Sequence, residues 1–333
     1  MSEIRKDFLL DRWVLIAPER AQRPMPPAVG PLGDDKDGCP FCPGHEALTP
    51  PEVLALGRSR SEPDTPGWSV RVFPNKFPAL RASATVEGIG VFEAEPGLGI
   101  HEVLVESPDH GARWHRMSSS ERECVLDAVR QRMIALEADS AVGSVLVFRN
   151  EGRAAGATLT HPHLQILGLP RVPPLVEAEM HAARVRYDAE GACVWCRLLE
   201  GECATGERVV EAGPDTVTLA PFAPRVPYEL WILPLAHEAS FTDASARVRK
   251  AMATALAEAA SRLEGLLGEV AYNWFLHSAR GGEAAPHYHW HAEILPRTVH
   301  AAGFEWGSGM FLHPVPPEEA ASALRGVPLP PIR

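Results

Sequence analysis

The chain has 333 residues, a net charge of −11, 45% hydrophobic and 23% charged residues. That length points to two units of roughly 150 residues with an ordinary globular mixture. The acidic balance argues against a nucleic-acid partner, and no run of about 18 apolar residues offers a membrane span. The opening M-S-E-I-R-K-D-F holds no signal-peptide core, so a cytoplasmic protein is expected.

In chain order, the first chemistry-bearing motif is C-P-F-C, residues 39 to 42. It follows the turn-forming G-D-D-K-D-G, which suits a metal knuckle better than a thioredoxin-like helix start. Strand-like text follows at V-R-V-F-P-N-K-F-P-A-L (70 to 80) and H-E-V-L-V-E-S-P-D-H (101 to 110), ending on His110. A helix is predicted from a capping box at Ser120 and Glu123, with Val125, Leu126, Val129, Met133 and Leu136 at helical spacing. A strand, S-V-L-V-F-R-N, leads into the glycine-rich E-G-R-A-A-G-A-T and then H-P-H-L-Q-I, residues 161 to 166.

After the P-R-V-P-P break the order repeats. C-V-W-C (193 to 196) precedes strand text ending at His237, and a second helix is predicted from near Asp243. Then come the strand A-Y-N-W-F-L-H and the segment H-W-H-A-E-I from His289. His110 to His161 spans 51 positions and His237 to His289 spans 52, so the match is one of spacing as well as type. Two α+β units with antiparallel sheets, residues 1–172 and 173–333, are therefore expected from an internal duplication.

Each unit offers two cysteines and two histidines in one order, the donor set of a closed tetrahedral zinc site. Cys39, Cys42, His110 and His161 are assigned to one site, and Cys193, Cys196, His237 and His289 to the other. The alternative for His110 and His237 is a turn cap, which the repeated order disfavours. His287 competes with His289, and alignment of the two segments favours His289.

A closed site leaves no position for substrate, so the chemistry must lie beside the metal. His163, two residues beyond His161, shares its strand face. A neutral imidazole whose other nitrogen is held by an acceptor can attack phosphorus. Gln165 can donate to a phosphoryl oxygen without taking up the proton. Asn150, Gly152, Gly156 and Thr158 supply a loop whose backbone can approach a diphosphate. In the second unit His291 and Glu293 take these places, and a carboxylate there repels phosphate, so that unit is expected to be catalytically silent. Cys124, Cys203, His45 and His101 read as filler.

With H-P-H-L-Q-I, S-P-D-H, V-F-P-N-K-F-P-A-L, D-R-W-V-L-I-A-P-E-R-A-Q-R-P and P-E-E-A-A-S-A-L-R in this order, the chain resembles the galactose-1-phosphate uridylyltransferases of the histidine-triad superfamily. The resemblance implies paired histidine-triad-like domains with half-barrel sheets, in a homodimer. It implies transfer of UMP from UDP-glucose to galactose 1-phosphate through His163, with Gln165 holding a phosphoryl oxygen. Asn150 and Thr158 then match phosphate contacts, Arg20 and Arg23 basic groups reaching the nucleotide sugar, and Phe41, Asn75 and Phe77 the nucleoside pocket. Two departures stand out. Gly309 and Val315 fall where the family's hexose-reading acceptors would lie. Cys193 and Cys196 resemble the two-zinc relatives, which include a plant ADP-glucose phosphorylase, while His277 and His291 leave an iron-type site open in that half. The rival readings are a nucleotide-sugar phosphorylase, a hydrolase, and a non-enzymatic zinc module.

Overall fold

The computed structural model describes residues 3–6, 13–16, 36–58, 61–81 and 94–329. β1 (Glu3–Lys6), β2 (Trp13–Ile16) and β5 (Ala94–Pro96) form a small antiparallel sheet. Among the described residues, the main sheet has ten strands. From the first half come β3 (Leu54–Leu56), β4 (Val70–Pro74), β6 (Ile100–Val105), β7 (Ser144–Glu151) and β8 (His163–Leu169). The second half contributes β9 (Val209–Ala212), β10 (Thr216–Leu219), β11 (Leu230–Pro234), β12 (Tyr272–His277) and β13 (His291–Pro296).

Their order is β3-β4-β6-β8-β7-β12-β13-β11-β10-β9. Read from either edge to the centre, each half places its strands first, second, third, fifth, fourth. Antiparallel pairing of β7 with β12, from Tyr272 opposite Glu151 to Leu276 opposite Val147, joins the halves into one continuous sheet. The P-R-V-P-P segment lies between β8 and the helix α2 (Pro174–Glu190), whose first residue is a proline that needs no hydrogen-bond partner there.

Two long helices, α1 (Ser119–Glu137) and α4 (Ala246–Leu267), pack on each other and on one face of this sheet. Alternation along the strands sends Val70, Val72, Leu104, Val147, Leu164, Ile166, Trp274 and Ile294 into that core. The intervening His163 and Gln165 therefore point to the opposite face, where Phe41, Phe73, Val103 and Val105 form a second cluster.

Both helix starts lie two or three residues from their expected positions. In α1 the capping box is Ser118 with Glu121: Ser118 Oγ accepts from the Glu121 amide and Glu121 accepts from the Ser118 amide. The S-S-S-E-R-E text fits the box in two registers, and Glu123 is engaged elsewhere, by Ser119 and by Lys250 of α4. Before α4, Phe241–Asp243 is a separate 3-10 turn, and the helix is capped by Ser245.

The remaining helices are α3 (Val194–Thr205), α5 (Gly303–Ser308) and α6 (Pro317–Arg325). No helix among the described residues is long and apolar enough to cross a membrane.

Candidate active site and metal centres

The turn carrying Cys39 and Cys42 meets His110 and His161 at the end of β6 and the entry to β8. Cys42 Sγ lies 3.3 Å from His110 Nδ1 and 3.6 Å from His161 Nδ1, and Cys39 Sγ lies 3.6 Å from His161 Nδ1. Sulfur and nitrogen bound to one tetrahedral zinc stand about 3.6 Å apart, from bond lengths near 2.3 and 2.05 Å. The donors therefore already have the spacing that a metal requires. His161 Nε2 donates to the Ser107 carbonyl at 2.8 Å, which leaves its Nδ1 lone pair on the metal side. Burial holds the His161 ring neutral, lowering its pKa to about 4. Burial also raises the Cys39 thiol to about 11, so without a metal it keeps its proton at neutral pH.

The second centre repeats this arrangement with Cys193, Cys196, His237 and His289. Cys196 Sγ is 3.3 Å from His237 Nδ1 and 3.8 Å from His289 Nδ1, and His289 Nε2 is 3.0 Å from the Pro234 carbonyl. His289, not His287, is the histidine in this cluster. Here the cysteines lie at the start of α3 rather than in a loop.

Beyond the first cluster, His163 Nδ1 lies 2.9 Å from the His161 carbonyl oxygen. A carbonyl only accepts, so Nδ1 carries the proton and the lone pair of the neutral ring is on Nε2. His163 lines a cavity of about 330 Å³ together with Asn150, Gly152, Arg113, Arg153 and, from the second half, Ala271. Phe41 packs edge-on to the His163 ring, centroids 5.2 Å apart. Gly152 and Gly156 have φ of 75° and 90°, a left-handed backbone that the loop needs and glycine adopts without strain. Gly156 and Thr158 flank the loop but are not among the cavity's wall residues.

Asn75 accepts from the Phe77 amide at 2.9 Å and its amide nitrogen lies 3.1 Å from His101 Nε2. His101 in turn lies 2.8 Å from Gln165 Oε1. Arg20 and Arg23 lie outside the described residues.

Four contributors carry no signal in the sequence. Asn273 of β12, directly opposite Asn150, donates to Asn150 Oδ1 at 2.7 Å and to the Ala155 carbonyl at 2.8 Å, tying down the glycine loop from the other half. Arg113 and Arg153 line the cavity, where Arg113 is paired with Glu151 and Glu269 of the same wall. His101 had no motif to mark it. A sequence signal did exist for the aromatic packing: the third residue of each C-x-x-C is Phe41 or Trp195, and Trp195 stacks on His291 with centroids 4.4 Å apart.

At the matching place in the second half, His291 Nδ1 again meets a carbonyl, that of His289, at 3.1 Å. Its Nε2, however, faces Glu293 at 3.4 Å. Burial works against the charge on His291, yet the neighbouring Glu293 and Glu179 carboxylates outweigh it and raise the ring's pKa. Burial would likewise raise Glu293, but His291, His277 and Arg225 hold it down to about 2. Glu179, His277, His291 and Glu293 form a third group whose donor atoms lie within 4.8 Å of one another.

The model for the N-terminal domain of galactose-1-phosphate uridyl transferase matches residues 1–173. The chain belongs to the galactose-1-phosphate uridylyltransferase family. Among its relatives, an Arabidopsis thaliana ADP-glucose phosphorylase is 30% identical, over 98% of this chain and 93% of that protein. A Thermotoga maritima galactose-1-phosphate uridylyltransferase is 29% identical, over 98% of each. A solved uridylyltransferase structure superimposes with a TM-score of 0.82 at 30% identity, covering 98% of both chains.

Proposed function

We propose that the protein is a nucleotidyltransferase that moves UMP from UDP-glucose to galactose 1-phosphate by a ping-pong route through uridylyl-His163. The observation that carries this reading is the His163 ring, locked through Nδ1 to the His161 carbonyl and set in the cavity wall beside Asn150 and Gly152. His163 Nε2 attacks the α-phosphorus, a P–N bond forms, and the bond to the leaving glucose 1-phosphate breaks. An oxygen of galactose 1-phosphate then attacks phosphorus and returns the electron pair to Nε2. Gln165 and the 150–158 loop, including Gly156 and Thr158, hold the phosphoryl oxygens, with Arg20 and Arg23 reaching the nucleotide sugar. Phe41, Asn75 and Phe77 border the nucleoside.

On this reading residues 1–172 are the catalytic histidine-triad-like unit, and residues 173–333 its silent duplicate, each with a half-barrel sheet. The Glu293 carboxylate, 3.4 Å from His291 Nε2, supports silence, because it faces the nitrogen that would attack and repels phosphate. Zinc is the metal proposed for both Cys2His2 clusters, held by Cys39, Cys42, His110 and His161 and by Cys193, Cys196, His237 and His289. It would supply structural cross-linking rather than a reactive position. Iron is the alternative for the second half. The working form is a cytoplasmic homodimer, a reading supported by the exposed Phe304, Trp306, Met310, Phe311 and Leu312. A second reading, phosphorolysis of ADP-glucose or another nucleotide sugar by the same histidine, is favoured by the Arabidopsis relative and by Gly309 and Val315 in the segment expected to read the hexose.

Incubation with UDP-glucose or ADP-glucose labelled at the α-phosphorus, followed by an alkaline quench, tests both. Label retained from UDP-glucose and released by galactose 1-phosphate is the expected result. Label from ADP-glucose alone, released by inorganic phosphate, selects the second reading. Retained label in His163→Asn, or none from either sugar in metal-loaded protein, refutes the mechanism.

A further inference from the structure

The histidine that sequence reading left without a role makes contacts that determine how Gln165 is turned. His101 lies on β6 opposite Leu167, which makes it the diagonal neighbour of Gln165 on the same face of the sheet. It is 5% exposed. The Ala79 backbone amide donates to His101 Nδ1 at 3.0 Å. A backbone N–H cannot accept, so Nδ1 must be unprotonated, and the neutral ring carries its hydrogen on Nε2. Among the described residues, two polar atoms lie near that nitrogen: Asn75 Nδ2 at 3.1 Å and Gln165 Oε1 at 2.8 Å. Asn75 cannot take the hydrogen, because its own Oδ1 is turned away to accept from the Phe77 amide, leaving an NH2 donor toward the ring. The hydrogen therefore goes to Gln165 Oε1.

From this geometry we infer that His101 is a positioning residue for nucleotidyl transfer: its Nε2–H pins the carbonyl of Gln165, so that the amide N–H donors face the phosphoryl group attacked by His163. A side-chain amide has one accepting and one donating end of nearly equal size, and only the donating end stabilises a developing oxyanion. Without an external donor on Oε1, both orientations are open to Gln165. His101 removes the unproductive one, and a backbone amide fixes its tautomer. The Ala79 amide, the His101 ring and the Gln165 carbonyl thus form a chain of hydrogen bonds linking the proposed nucleoside side of the site to the reacting phosphorus.

The inference rests on the reading of His163 as nucleophile and Gln165 as oxyanion donor, and the test separates the two. His101→Asn keeps a side-chain oxygen near Ala79 but is too short to reach Gln165, whereas His101→Gln can place an N–H donor near the lost Nε2. Single-turnover formation of alkali-stable label from UDP-glucose or ADP-glucose, whichever the wild type uses, is measured with metal content and thermal midpoint. Gln165→Ala is expected to slow labelling by about 10²-fold or more, the scale of losing one oxyanion donor. His101→Asn is expected to slow it by about tenfold with little change in the half-saturating sugar concentration, and His101→Gln to recover most of that loss. In a Gln165→Ala background, His101→Asn should cost nothing further, since residues acting as a unit are not additive. Equal slowing by His101→Asn in both backgrounds, or failure of His101→Gln to recover, overturns the inference while leaving the His163 mechanism intact. Retained label in His163→Asn, or full activity in Gln165→Ala, overturns the parent reading instead.

Discussion

Replacing Arg149 with methionine tests how the seam between the halves is held beneath the active-site loop. Arg149 sits on β7, one residue before Asn150, with its side chain 1% exposed. Its Nε donates to Glu106 Oε1 at 2.7 Å, and the Glu106 side chain is fully buried. Nη1 reaches Glu151 and, across the seam, the Tyr272 hydroxyl at 3.5 Å. Burial already pushes the Glu106 carboxyl upward against the opposing pull of Arg149, and Glu106 Oε2 has no hydrogen-bond partner among the described residues. Removing the guanidinium leaves a carboxyl that must either stay charged in the interior or take up a proton. Breaking a buried pair on one side costs about 3–5 kcal/mol. With an unfolding entropy of about 2.1 cal/mol/K per residue over 333 residues, or about 0.7 kcal/mol/K, the thermal midpoint should fall by about 4–7 °C. Urea unfolding of metal-loaded protein should give the same loss at an unchanged m-value. Arg149→Met with Glu106→Leu removes both charges and should recover most of the stability. A single variant that loses less than about 1 kcal/mol, or a double variant no better than the single, refutes the reasoning.

Asn273→Ala should lower kcat/KM for the first half-reaction by about tenfold, the equivalent of about 1.4 kcal/mol. Asn150 and the Ala155 carbonyl would lose the donor that fixes the loop. Unchanged kinetics would show that the loop orders without its partner strand. His161→Asn should lose the first metal, measured by elemental analysis, whereas His163→Asn should keep both. Zinc titrated into metal-free protein at pH 7 should release about two protons per site, because the thiols must ionise to bind. Burial holds Cys39 and Cys196 near 11. Calorimetry in buffers of different ionisation enthalpy measures the count, and no proton release would contradict thiolate ligation.

What was legible in the sequence was the chemistry carried by short motifs, because cysteine pairs and alternating histidines state their donor atoms within a few residues. The cluster memberships, including His289 over His287, follow from that order. What long-range pairing creates was not legible. Nothing near Asn273 says that it lies opposite Asn150, and nothing near His101 says that a diagonal neighbour across the sheet is Gln165. The start of α1 differs from expectation for a local reason: a run of serines before two glutamates offers competing caps, and Lys250 on the neighbouring helix takes one glutamate.

The two histidine strands show how little sequence separates different chemical states. H-P-H-L-Q and H-W-H-A-E place a second ring in the same way, Nδ1 toward the preceding histidine's carbonyl. The residue two positions later differs. Gln165 is neutral and has its oxygen on His101, so it puts no charge next to His163. Glu293 lies 3.4 Å from His291 Nε2 and is itself paired with Arg225. An anion at that place repels phosphate, which a neutral amide does not. On one backbone, then, the position two beyond the second histidine holds a neutral amide in one half and, in the other, a carboxylate set in a buried charge network with His291 and Arg225.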